Sequence, residues 1–191
     1  MEIKYIINGA MTDKQQKDVD IINKICLGGP INPDEPEEEF DINTYEYSAP
    51  EDGMFLLFDG ERAVGRVAVH KVLTEYDGKK YWLGGFGGLA VLPEYQGKGY
   101  ARKLAEAALE KCYEIGIDVA CMEVDTESGI TDLYQKLGYK FLNRLAYFIN
   151  HGNNEVTDDK VMIMGLNNKN LADEILATNH KFHYGRHLGH W

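Results

Sequence analysis

Apolar and polar residues alternate over Ile3, Tyr5 and Ile7, the pattern of a strand with one buried face. Thr12 followed three residues later by Gln15 is a capping box, and the helix it opens carries Val19, Ile22 and Ile25 or Cys26 along one side before Gly28-Gly29-Pro30 stops it. Residues 30–52 hold four prolines and little periodicity, which reads as a long loop with one short helix. Three strands follow, over Met54–Phe58, Ala63–Leu73 and Tyr81–Leu92, joined at the hairpin signals Asp59-Gly60 and Asp77-Gly78. The third contains Gly84, Gly85, Gly87 and Gly88, and glycines inside a strand mark a bulge or the close approach of another backbone or a ligand. A helix from Gly99 to Gly116 has Ala101, Leu104, Ala105, Ala108 and Cys112 on one face. Ile117–Val124 is apolar enough for a strand covered on both sides. Thr131–Leu137 reads as a short helix closed by Gly138, Tyr139–Ile149 and Val161–Leu166 as strands, and Asn170–Ala177 as a helix. No repeat or linker divides the chain, so 1–191 is expected to form one domain.

Composition adds constraints. With 191 residues, 44% hydrophobic and 27% charged, the chain has the makeup of a globular domain. No apolar run reaches the length of a membrane span, and the start Met1-Glu2-Ile3-Lys4-Tyr5 is not a secretion signal, which gives the cytoplasm as the expected location. Cys26, Cys112 and Cys121 contain no Cys-x-x-Cys pair and read as reduced thiols. Between Lys24 and Arg62 stand Asp34, Glu35, Glu37, Glu38, Glu39, Asp41, Glu46, Glu51, Asp52, Asp59 and Glu61 with no Lys or Arg, which matches the whole net charge of -11. Such a stretch argues against nucleic acid and anionic membrane as partners and suits a polycation or a basic protein, or it serves as a solvated loop. The tail histidines His180, His183, His187 and His190 lack an acidic or Cys partner within the tail to complete a metal site.

The chemistry sits in the strand–turn–helix at Gln96-Gly97-Lys98-Gly99-Tyr100-Ala101. The first N–H groups of a helix lack partners and carry the positive end of its dipole, so this turn is an anion site. Gly97 and Gly99 let a phosphate reach the backbone, and Lys98 adds charge. A P-loop needs Ser or Thr after the lysine, where the chain has Gly99, and a dinucleotide fingerprint needs Gly where it has Arg102.

The segment Leu92–Leu104 resembles the acetyl-CoA signature of the GNAT (Gcn5-related) N-acetyltransferases, with Gln96, Gly99 and Ala101 on its fixed positions. Leu133-Tyr134-Gln135-Lys136-Leu137-Gly138-Tyr139-Lys140-Phe141 resembles the later helix–turn–strand of the same family, and the likeness spans residues 53–149. The resemblance implies an α/β (α+β) fold. Its mixed, mostly antiparallel sheet is flanked by helices and splayed between two parallel central strands, here Tyr81–Leu92 and Ile117–Val124. It implies acetyl-CoA as cosubstrate, its pantetheine paired to the main chain of Leu89, Ala90 and Val91, its pyrophosphate on the loop 96–101, and a main-chain oxyanion hole. It makes Tyr134 the general acid; the base is not fixed by the resemblance, and Glu123 and Asp125, at the end of a strand facing the split, are the candidates.

Asp158–Met164 and the terminal Gly189-His190-Trp191 are similar to the aminoglycoside 2'-N-acetyltransferases, which implies a cationic amine acceptor touched by Asp125, Asp159 and Trp191. The chain departs from those enzymes at Gly87, where they carry a glutamate. Other amines, polyamines and protein amino groups stay open as acceptors, as does a domain that binds CoA without turnover, and a homodimer is compatible with the sequence.

Overall fold

The Thr12 box closes as the sequence predicts: the Thr12 hydroxyl accepts from the Gln15 N–H at 3.3 Å, and Gln15 Oε1 accepts from the Thr12 N–H at 2.9 Å. The helix it starts, α1 (Asp13–Cys26), buries Val19 and Ile22, while Ile25 stays 54% exposed and Cys26 is the residue turned inward. The computed structural model describes residues 1–7, 9–27, 53–127, 129–149 and 154–186. The Gly28-Gly29-Pro30 stop, the acidic stretch 30–52, His187, His190 and Trp191 lie outside the described residues.

Strands β1 (Glu2–Ile7), β2 (Gly53–Asp59), β3 (Arg62–Tyr76) and β4 (Lys79–Val91) form an antiparallel meander. The Asp77-Gly78 turn between the last two has φ of 47° and 76°, the left-handed pair that a two-residue hairpin requires. Helix α2 (Tyr100–Glu114) then returns the chain to β5 (Val119–Glu123), parallel to β4. After α3 (Thr131–Leu137) the chain splits its next apolar run. Residues 139–149, which the sequence presents as one strand, form β6 (Lys140–Phe141) in the main sheet and β7 (Ala146–Ile149) in a second one. Asn143, at φ 55°, sits in the break and turns the backbone out of one sheet toward the other.

Strand β8 (Glu155–Asp158) pairs with β7, β9 (Val161–Gly165) returns to β5, α4 (Lys169–Ala177) follows, and β10 (Phe182–Arg186) lies parallel to β7. The main sheet therefore has the order β1-β2-β3-β4-β5-β9-β6, and the small sheet β10-β7-β8.

Paired residues share a face of a sheet, and this sorts the sides. Lys71, Gly84 and Ala120 stand in one row, as do Val69 and Phe86, facing α2 and α3. Buried Leu104, Ala105, Ala108 and Cys112 of α2 pack there. Val72, Leu83 and Val119 form a row on the opposite face, which α4 and the small sheet cover through Leu171, Ile175, Phe182 and Tyr184. Helix α1 joins that second face through Asn23.

Candidate active site

The two parallel strands barely touch. β4 pairs with β5 only at Leu83–Val119 and Gly84–Ala120. At the next residue a Cβ on Gly85 would stand 2.5 Å from the Cys121 carbonyl oxygen, so the strands are still pressed together there, and beyond it they part. β4 also carries an extra residue: Arg66 and Ala68 on β3 face Ala90 and Gly87, two steps against three, with Gly88 at φ 58° inside the bulge. The Leu92 N–H donates to Val64 on the β3 side, and alternation then turns the main-chain groups of Val91 and Leu89 toward the cleft and those of Ala90 toward β3. The Val91 carbonyl accepts from Gln96 Nε2 at 2.8 Å, which ties the loop to the strand end.

That loop continues through a 3-10 turn (Pro93–Tyr95) into Gly97 and Gly99, at φ 71° and 77°, and Gly99 caps α2 without a side chain. No atom lies within 4 Å of where a Cβ would stand on either glycine, so the space over the loop is open. The N–H groups of residues 97–102 donate to no backbone carbonyl among the described residues; Lys103 is the first that does, to Gly99 at 3.2 Å. Open space, unpartnered donors and the positive end of a 15-residue helix fit a pyrophosphate. Lys98 is held back from this space: its Nζ donates to the Glu94 carbonyl at 2.9 Å and sits 5.4 Å from the centroid of the Tyr95 ring. Tyr100 and Ala101, in the first turn of α2, are half-buried against the core.

Tyr134 projects from α3 onto the α2 side, its ring 5.9 Å from Phe86 and 6.3 Å from Tyr139. Burial pushes its hydroxyl up to about 12. The Tyr139 hydroxyl is sealed from solvent with no partner among the described residues, whereas that of Tyr134 is not sealed.

Glu123 ends β5 on the opposite face, in the register of Val119 and Cys121, so Tyr134 and Glu123 approach the split from the two sides of the sheet. Burial first, then the carboxylates of Asp158 and Glu123, raise the Tyr184 phenol, which places both acids about that ring. Asp125 and Asp159 are exposed and stand just beyond the last bridge of the β5–β9 pair, Glu123–Val161. The Asp125 carboxylate accepts from the Glu127 N–H at 2.9 Å.

The sequence pattern passes over two groups of this face. Arg66 Nη1 donates to Asn23 Oδ1 at 2.8 Å. His70, on the same side of β3, is pushed down to about 4 by burial and then by the Arg66 cation, so it is neutral. A cation at an inward position of an apolar strand was the available signal for Arg66.

A sheet opened between two parallel strands, with a helix N-terminus at the mouth, defines a protein that receives an extended, phosphate-bearing carrier between strands. The comparisons agree. A sequence profile of the acetyltransferase (GNAT) family matches residues 20–139, and the chain belongs to that family, whose members are acyltransferases with acetyl-CoA as cosubstrate. No curated protein matches the chain. Among solved structures, the GNAT family N-acetyltransferase YhbS from Escherichia coli in complex with CoA superposes with a TM-score of 0.59 at 16% identity, over 97% of this chain and 89% of that one. The ribosomal-protein-S18-alanine N-acetyltransferase from Escherichia coli gives 0.56 at 17%, over 86% and 94%. A GCN5-related N-acetyltransferase from Kribbella flavida gives 0.57 at 20% over 76% of this chain, which spans 34% of that protein. At these identities the likeness is one of fold. No helix among the described residues is long and apolar enough to cross a membrane.

Proposed function

We propose that the whole chain acts as one domain that moves the acetyl group of acetyl-CoA to the primary amine of a small cationic acceptor. The observation that carries the reading is the two-residue β4–β5 pairing, which leaves the main chain of Leu89 and Val91 facing an open cleft. Leu89 and Val91 would hold the pantetheine through their main chain, with Ala90 between them bonded toward β3, and Gln96 to Ala101 would hold the pyrophosphate. Acetyl-CoA supplies the acetyl group as a thioester.

The protein's own groups divide the work by face. On one side Glu123 takes a proton from the incoming ammonium, directly or through water, with Asp125 as the next candidate. On the other, Tyr134 keeps its proton at Oη for the departing thiolate; its raised pKa holds that proton over the whole working range. Glu123, Asp125, Asp158 and Asp159 at one end of β5 and β9 favour a cationic acceptor, and the resemblance adds Trp191, outside the described residues, as a contact of the acceptor. Aminoglycosides and polyamines are the first to assay. A protein N-terminus is the second reading, supported by the fold shared with the S18-alanine N-acetyltransferase.

The test is thiol release from acetyl-CoA against aminoglycosides, polyamines, amino acids and basic peptides, beside Tyr134→Phe. Turnover that collapses in the variant supports the reading. Silence throughout, with acetyl-CoA still raising the melting temperature, leaves a binding domain and removes the enzyme.

A further inference from the structure

The strand registers place a trough on the face of the sheet opposite α2. Arg66, Ala68 and His70 alternate onto that face of β3. Ala68 stands beside Gly87 and His70 beside Gly85, and Gly85 lies against Cys121 of β5, two residues before Glu123. Between Arg66 and Glu123 this face carries Ala68, Gly85, Gly87 and Cys121, small residues that are all buried.

Arg66 is the anomaly in this trough. Its Nε is sealed from solvent with no partner, and its one hydrogen bond among the described residues is to the neutral Asn23 amide. No carboxylate among the described residues pairs with it. A Cβ on Gly88 would collide with Arg66 Nη2, so the bulge residue is a glycine where the guanidinium passes beneath it. A guanidinium taken from water without a counter-charge is costly, and its planar fork fits a carboxylate by two parallel hydrogen bonds. Neutral His70 beside it adds no competing anion.

We propose that Arg66 anchors a carboxylate of the acceptor, so that the amine acetylated belongs to an amino-acid-like molecule lying across the trough with its ammonium toward Glu123. Arg66 on β3 and Glu123 on β5 lie on the same face of the sheet with β4 between them, so an acceptor that meets both carries a carboxylate at one end and an ammonium at the other. This narrows the acceptor reading above and rests on it. Polyamines and aminoglycosides lack the carboxylate and leave Arg66 unpaired.

The experiment uses product-like probes that need no turnover. N-acetylglycine, N-acetylleucine, N-acetylphenylalanine, N-acetyllysine and N-acetylglutamate, each with its carboxamide, are titrated by calorimetry into the full chain saturated with CoA. At least one carboxylate binds tenfold or more tightly than its amide, Arg66→Gln erases that difference, and Arg66→Lys keeps part of it. The proposal is overturned if no pair differs in the wild type, or if the difference survives in Arg66→Gln. Should Arg66→Gln not fold, the wild-type pairs and Arg66→Lys decide alone. Arg66-dependent binding without thiol release on any amine would keep the carboxylate anchor and remove acetyl transfer. Thiol release from amines with no carboxylate preference would do the reverse.

Discussion

Replacing Tyr134 by Phe separates packing from proton handling, because the structure assigns the two to different parts of the side chain. The ring sits 5.9 Å from Phe86 and 6.3 Å from Tyr139, contacts that a phenyl group retains. The hydroxyl has no hydrogen-bond partner among the described residues and is not sealed, so its removal leaves no orphaned group. Stability should change by less than about 0.5 kcal/mol. Activity should fall by about 10²- to 10⁴-fold, the usual range for losing a positioned proton donor, or about 3–5 kcal/mol of barrier.

The pKa sets the shape of the effect. With the phenol pushed up to about 12, and an ordinary thiol near 8.5, full transfer to a free thiolate is uphill by about 5 kcal/mol. Tyr134 therefore acts as a strong hydrogen-bond donor to a sulfur still partly bonded, and kcat shows no basic limb from it below about pH 11. The assay is kcat by thiol release from pH 6 to 10, with melting curves of both proteins. A variant with kcat within threefold of wild type, or a basic limb near pH 9 that vanishes in Tyr134→Phe, refutes the reasoning.

Gly99→Ala costs about 1–2 kcal/mol for its left-handed backbone at φ 77°, and its methyl enters the empty space over the loop, so KM for acetyl-CoA rises at least tenfold. Gly78→Ala, at φ 76° and equally unobstructed in the far hairpin, shows the same stability loss with KM unchanged; a KM effect common to both removes the phosphate assignment. Gly85→Ala combines φ 152° with a Cβ 2.5 Å from the Cys121 carbonyl, and denaturant unfolding should show a loss of at least about 2 kcal/mol; a loss under half of that means the strands part more easily than their contact implies. His70 titrates near 4 in the folded chain and near its ordinary 6.5 when unfolded. The unfolded state thus takes up the proton first, and stability present above pH 6.5 is lost as pH falls toward 4, by up to about 2.5 kcal/mol at pH 4.5. His70→Asn flattens the stability difference between pH 7 and pH 4.5 by that amount, and an unchanged slope shows the ring is not sheltered.

What could be read from the chain is what local chemistry fixes. Thr12 and Gln15 make their reciprocal bonds within four residues, Asp77-Gly78 sets its own turn, and Gly97 and Gly99 take their left-handed angles beside a helix start. The glycines of 84–88 signalled a bulge, and β4 has one. What could not be read depends on partners far along the chain. Residues 139–149 read as one mostly apolar strand, yet Lys140 and Phe141 pair with β9 while Ala146 to Ile149 pair with β8 and β10. Periodicity records which face a residue presents and says nothing of which strand lies beside it. Strands β8 and β10 are short, with few apolar residues, and exist because β7 offers them an edge.

The candidate site divides along the same line. The loop 96–101 is continuous in sequence and was legible. The proposed acceptor face takes every second residue of three strands, so Arg66, Gly87 and Glu123 come onto one side only once β3, β4 and β5 are laid side by side. A methyl or nothing at Ala68, Gly85 and Gly87 reads along the chain as weak strand sequence, and across the sheet as one patch of small residues on the face proposed for the acceptor. The same residues thus explain why β4 tolerates so many glycines: a side chain at Gly85 would force the parallel strands apart, and one at Gly88 would displace the guanidinium. A strand built only for stability would carry neither restriction, since branched side chains at these positions would bury more surface and strengthen the pairing.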